Sequence, residues 1–183
     1  MPEASEHARR TSEPVRSSNA EPSTRRSEPI TCRFTITPEM VHGGHVDVGS
    51  FSRLFDLATD AFREAIGCGA AYSAAHLRGL FVIEAHLTYR REVGEAETIT
   101  VETRVLGCDA KRLHLFHRML RGDGETAATA ELMLLHVDRS AGRGSAFPGE
   151  LHDVFVQLTT DAVWPTEAGR TVTALVSEPG RRA

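Results

Sequence analysis

Lysine is almost missing from this chain: of 21 basic residues, Lys111 alone is lysine and the rest are arginine, a bias that reads as coding preference more than chemistry. An excess of positive charge is missing too. The 25 acidic residues leave a formal charge of −4, which removes nucleic acid and other polyanions as default partners. Cysteine is scarce. Cys32, Cys68 and Cys108 are scattered, too few for a disulfide framework or a zinc ribbon, and they point to a reducing, cytoplasmic setting. No apolar run approaches the ~20 residues that a membrane span needs, and the first residues lack the basic-then-apolar order of a secretory signal. What is left reads as a cytosolic globular protein of 183 residues, long enough for one domain with a buried core and tails.

Residues 1–29 hold five Arg against five Glu among Ser and Pro. They carry too little apolar surface to offset the ~1–2 kcal/mol of backbone entropy per ordered residue, so a disordered tail is expected. The folded domain is expected over residues 30–162. Residues 163–183 read as a loosely ordered extension with a short strand near 172–176. Within the domain, residues 31–37 alternate as a strand and stop at Pro38. A Gly- and His-rich loop, 41–49, leads into a helix over 50–66, whose Phe51, Leu54, Phe55, Ala58, Phe62 and Ile66 share one half of the wheel. Ser50 is the expected N-cap and Gly67 the left-handed stop. After a second irregular or helical stretch (70–78), residues 81–90, 97–106, 112–121 and 126–138 alternate with period two between glycine-bearing turns. One apolar helix beside an antiparallel meander, with no crossover helices, excludes a doubly wound fold. The economical architecture is α+β: a curved antiparallel sheet wrapped around one central helix.

The loop VHGGHVDVG (41–49) carries the candidate chemistry. Its glycines allow close backbone approach, and the unpaired N–H groups opening the helix suit a developing oxyanion. His45 and Asp47, two residues apart, form a candidate pair in which a carboxylate orients an imidazole that activates water. His42 is a second contender for the base. The plainer roles for the pair are a helix cap (Asp47) and a turn (His45). His42-x-x-His45 lacks a firm third ligand, so no metal is expected. Asp56, Asp60 and Glu64 line the polar half of the helix near Arg53 and Arg63, as solvated or interface charges or as catalytic carboxylates. Strand alternation puts Phe81, Ile83, Ala85, Leu87 and Tyr89 on one face and Val82, Glu84, His86 and Thr88 on the other. By the same rule His114 and His117 point to opposite faces, which removes them as a metal pair. Arg90, Arg91, Lys111 and Arg112 flank strand ends, where phosphates could be met.

The stretches GHVDVGSFSRLFDLATDAF (44–62), VIEAHLTYRREVGEAE (82–97), LGCDAKRLHLFHRM (106–119), ATAELMLLHVD (128–138) and GRGSAFP (142–148) together resemble the hotdog-fold acyl-CoA thioesterases of the 4-hydroxybenzoyl-CoA thioesterase type. Within that group the nearest likeness is to betainyl-CoA thioesterase-like proteins. The resemblance spans about residues 31 to 150. It implies a hotdog protomer that forms a homodimer or a dimer of dimers, with acyl-thioester sites at the shared interface. The implied substrate is a small acyl group carried by coenzyme A or an acyl-carrier protein, with no cofactor beyond the coenzyme A of the substrate. It also implies Val48 as the first backbone oxyanion donor, with Gly49 close by, and Gly44, Glu84 and His86 near the substrate. Glu84 would then suit a cationic acyl group, with Tyr72, Phe81 or Tyr89 as aromatic faces. One departure stands out. Three positions ahead of the Gly44-His45 pair the family usually carries an acid, and this chain has Val41. Hydrolysis is therefore expected to run through His45 and Asp47, the alternatives being a non-hydrolytic dehydratase or isomerase, or an inactive acyl-thioester-binding protein.

Overall fold

A computed structural model describes residues 28–160 and 164–169. Most of the tail expected over 1–29 and the strand expected near 172–176 lie outside the described residues. In chain order the elements are β1 (Ile30–Thr35), a 3-10 turn (Pro38–Met40), β2 (Val41–His42), β3 (His45–Val46), α1 (Val48–Ala65) and α2 (Ala70–His76). They continue with β4 (Arg78–Tyr89), β5 (Thr98–Cys108), β6 (Arg112–Leu120), β7 (Thr126–Asp138), β8 (Arg143–Gly144) and α3 (Gly149–Thr160). The main sheet is antiparallel in the order β1-β5-β6-β7-β4, with β8 added to β7. Its inner face packs on α1, burying Ile99, Val101, Leu113, Leu115, Met119 and Leu134 against Phe51, Leu54, Phe55 and Phe62. The α+β architecture expected from the sequence is the one observed. Among the described residues no helix is long and apolar enough to cross a membrane.

Helix α1 starts two residues before its expected beginning. Asp47, not Ser50, is the N-cap: its carboxylate accepts the Ser50 N–H at 2.9 Å and the Ser50 hydroxyl at 2.9 Å. A carboxylate one turn ahead of three free amides out-competes a serine already inside the helix. Gly67, at φ +75°, ends the helix as expected. Thr59, although polar, is fully buried on this helix. Its hydroxyl donates to the Phe55 carbonyl at 2.9 Å, so it accepts from Nε2–H of His117 at 3.0 Å. His117 Nδ1 then accepts from the Thr103 hydroxyl at 2.9 Å. Burial pushes the His117 pKa down to about 3, so the ring is neutral.

The alternation read along β4 is broken at one point. The register runs Val82 to Leu134 and then Glu84 to Met133, so a bulge at Ile83 shifts every later residue by one. Val82, Ala85, Leu87 and Tyr89 therefore share the inner face, while Glu84 and His86 take the outer face opposite Met133 and Glu131. Helix α3 was not anticipated; its Leu151 and Phe155 are buried beside Phe147. On the outer face, His114 Nε2 donates to the buried Glu131 carboxylate at 2.8 Å, which places it across the sheet from His117 as expected. Residues 164–169 lie over that pair. The Trp164 ring meets His114 edge-on at 5.5 Å, Arg118 pairs with Glu167 at 3.1 Å, and the Gly169 N–H donates to Glu131 at 3.0 Å.

Candidate active site

The loop before α1 is a two-residue hairpin. His42 pairs with His45 and Val41 with Val46, and the intervening Gly43 and Gly44 sit at φ +66° and +92°. Two successive positive φ angles are what a tight I′ connection demands, and glycine supplies them without strain. The hairpin is tied down on both sides. The Val46 N–H donates to the Val93 carbonyl at 2.9 Å and the Asp47 N–H to the Met40 carbonyl at 3.1 Å. Val46 is buried, and Val41, where the resemblance leads one to expect an acid, packs partly buried against the core.

Five of the candidate residues converge at the mouth of the helix. His45, Val48 and Tyr89 line a groove of about 350 Å³, together with Phe51, Arg90 and Arg91. Tyr89 stands edge-on to Phe51 at 5.3 Å, which fixes the groove's aromatic wall. The Val48 side chain is exposed, and its N–H is at the first helical position, where no intrahelical acceptor exists. The Ser50 and Phe51 amides are engaged by Asp47, the first by the carboxylate and the second by the carbonyl at 3.0 Å. Gly49 leans on the same carboxylate. That leaves Val48 as the first-turn amide that Asp47 does not engage.

The Asp47 carboxyl is held below the usual range, first by the Ser50 N–H and then by the Ser50 hydroxyl, with smaller contributions from the Gly49 N–H and His42. Its bonds run into the helix and not to His45, so the structure brings His45 and Asp47 to one loop without joining them. His42 sits across the turn from His45 on β2. Gly44 lines a second groove of about 550 Å³ that shares Arg90 and Arg91 with the first and adds Glu97 and Arg121. Arg91 is paired with Glu125 at 3.0 Å and Arg121 with Glu97 at 3.1 Å. The Arg90 guanidinium has no carboxylate partner among the described residues.

Other candidates lie apart. Glu84 and His86 are on the outer face, beyond the sheet from Val48. Tyr72 is committed elsewhere: His136 donates Nδ1–H to the Ser145 carbonyl at 3.0 Å, so its Nε2 accepts the Tyr72 hydroxyl at 2.9 Å. Lys111 and Arg112 stand at the Asp138 end of the sheet, opposite Arg90, with Arg112 held by Asp109 at 2.7 Å. The sequence named Tyr89 as an aromatic face but did not point to Phe51 as its partner in the groove wall. Their signal was the helix-period position of Phe51 and the last inward residue of β4, which alternation alone could not align.

A curled antiparallel sheet on one helix, with the first amide of that helix opening beside the free edge strand, defines the hotdog class. The chain belongs to the thioesterase-like superfamily, which matches residues 37–155. It is 39% identical over 136 residues to the L-carnitine dehydrogenase/betainyl-CoA thioesterase of Agrobacterium fabrum; the match takes in 73% of this chain but 28% of that longer protein. It is 38% identical over 123 residues to the betainyl-CoA thioesterase of Pseudomonas aeruginosa, covering 66% of this chain and 77% of the relative. Among solved structures, a Staphylococcus aureus protein in complex with CoA superposes with a TM-score of 0.75 at 25% identity, over 86% of this chain and 99% of that one. A candidate thioesterase from Pseudomonas putida gives 0.67 at 31% identity, over 82% and 99%.

Proposed function

We propose that this chain is an acyl-CoA thioester hydrolase whose oxyanion site is the Val48 amide, with His45 as the base that takes a proton from the attacking water. The observation that carries this reading is the place of Val48 at the first helical position, its N–H without an intrahelical acceptor, in a groove that Val48 lines with His45 and an aromatic wall. Hydrolysis moves negative charge onto the thioester oxygen as water adds, and a preorganised amide at a helix start stabilises that charge. Asp47 serves as the group that holds the helix start in place. The betainyl-CoA thioesterases among the relatives and the CoA-bound neighbour support coenzyme A as the carrier. Arg90, at the junction of the two grooves, is suited to its phosphates.

The same reading includes a homodimer. β4 is an edge strand, and residues 81–85 are exposed on both faces, with Phe81, Val82 and Ile83 at 46%, 41% and 54%. A long apolar edge with unpaired backbone groups is a template for a second strand, and a second copy of β4 is the complementary one. Val41, in place of the usual acid, favours one other reading, a non-hydrolytic hotdog enzyme, and product mass separates the two.

Val48→Pro is the direct test. Proline is favoured at the first helical position, and Asp47, at φ −76° and ψ 163°, already has the extended backbone that a following proline requires. The substitution removes the N–H and little else. Thiol release from acyl-CoA is expected to fall by about 10²–10³-fold with thermal stability retained; wild-type turnover in a folded Val48→Pro protein sinks the oxyanion assignment.

A further inference from the structure

We propose that residues 164–169 are an acid-released strap: the buried His114–Glu131 pair holds them on the outer face of the sheet, and protonation of His114 lets them go. This goes beyond the thioesterase reading, since the strap lies on the side of the sheet away from α1 and the Val48 groove. One carboxylate ties the two parts together. Glu131, itself buried, accepts Nε2–H of His114 at 2.8 Å, and both its oxygens accept the Gly169 N–H at 3.0 Å. Above them the strap closes on itself. Gly169 sits at φ +79°, and a Cβ there would come within 2.9 Å of the Trp164 ring. That ring in turn meets His114 edge-on at 5.5 Å. Glu167 adds a third hold, accepting from Arg118 at 3.1 Å and from the Thr166 hydroxyl at 3.1 Å.

The trigger follows from the second nitrogen of the imidazole. His114 is fully buried, and its Nδ1 has no hydrogen-bond partner. A neutral ring leaves only a bare acceptor there. A second proton would make it a buried N–H with nothing to donate to, on a charged group shut away from water. Neighbouring charges do not offset this. Glu131 from β7 and Glu84 from β4 favour the imidazolium, yet burial outweighs both and holds the His114 pKa below its ordinary value of 6.5. His86 on β4 stands opposite Glu131, and Arg104 on β5 with Arg112 and Arg118 on β6 are the cations of the same face. From the strap comes Glu167, which Arg118 takes. Lifting the strap returns the ring to water and to its ordinary basicity, so the lifted state binds more protons. Docking is therefore complete above pH 6.5 and weakens as the pH falls below it.

Trp164 is the sole tryptophan of the chain, so acrylamide quenching of its emission reads the strap alone in the full-length protein. Between about pH 7.5 and about pH 5 the wild-type quenching constant is expected to rise about twofold or more, with the far-UV circular dichroism unchanged. His114→Gln keeps a donor for Glu131 and cannot titrate, so its constant is expected to stay at the neutral-pH value throughout. Gly169→Pro removes the N–H and the positive φ from the strap alone, and is expected to show the high value already at neutral pH. Wild-type quenching that stays flat over this range, or that rises only with loss of the dichroism signal, overturns the strap. The same acid rise in His114→Gln overturns the trigger. A second measurement needs no change at His114: its ring proton resonance, followed by NMR, is expected to titrate near the ordinary value in Gly169→Pro and at lower pH in wild type. Coincident titrations in the two proteins overturn the proposal.

Discussion

Protonating His117 would put a charge among Thr59, Thr103 and the stacked ring of Phe55. The folded protein resists it, with a pKa pushed down to about 3, whereas the unfolded chain takes the proton near the ordinary value of 6.5. The unfolded state therefore binds more protons between these values. The stability this group contributes is complete above pH 6.5 and is lost as the pH falls towards 3, at up to about 1.4 kcal/mol per pH unit. Burial lowers His114 in the same direction, opposed by its bond to Glu131. Urea titrations between pH 7 and 4 are expected to show a shallower acid loss for His117→Gln than for wild type, and parallel slopes would remove His117 as the cause. On the catalytic side, His45→Ala is expected to lower turnover at least about tenfold, measured by thiol release. Asp47→Asn keeps the cap, since asparagine caps as well as aspartate. Near-normal turnover there is the result expected of a structural Asp47, and a tenfold loss would return it to the base pair. At this scale the sequence named His45, Val48 and Asp47, but it could not tell which oxygen of Asp47 or Ser50 would win the helix start, nor that Thr59 would find a buried imidazole. Both outcomes depend on partners distant in the chain or on a contest between adjacent caps.

Helix α1, its glycine stop and the antiparallel strands were all legible because their periods are long. Two elements were not. α3 has its apolar residues at helical spacing (Leu151, Phe155 and Leu158), with Pro148 just ahead and Glu150 in the first turn, yet its valines and threonines hid that pattern. The bulge at Ile83 has no local signature, and it alone moved Glu84 and His86 away from the cleft. The hairpin before α1 tests how far the backbone governs the site. Gly44 sits at φ +92° with nothing near its missing Cβ, so the cost of a side chain there is conformational. Gly44→Val is expected to lower stability by about 1–2 kcal/mol and turnover with it, while Gly43→Asn, which accepts a left-handed backbone, stays close to wild type. Thermal melts and thiol release on both variants decide it; a stable, active Gly44→Val would mean that the loop geometry is not needed.

For the whole molecule, the family was legible from five blocks of sequence in the right order, and the fold followed with it. The assembly is argued from the edge of β4. Ile83 is 54% exposed at the centre of the apolar stretch, so Ile83→Asp is expected to yield a folded monomer by sedimentation with little turnover, because each cleft would lack its second half. A dimer that survives this change would place the contact elsewhere.

The scarcity of lysine noted at the outset becomes useful once the sheet is seen. Lys111 is exposed on the β5–β6 hairpin, at the end of the sheet away from Arg90 and the Val48 groove. Amine-reactive dyes or resins, which also take the α-amino group, have a single side chain to find, so the protein can be tethered or given a fluorophore there with its working end facing the solution.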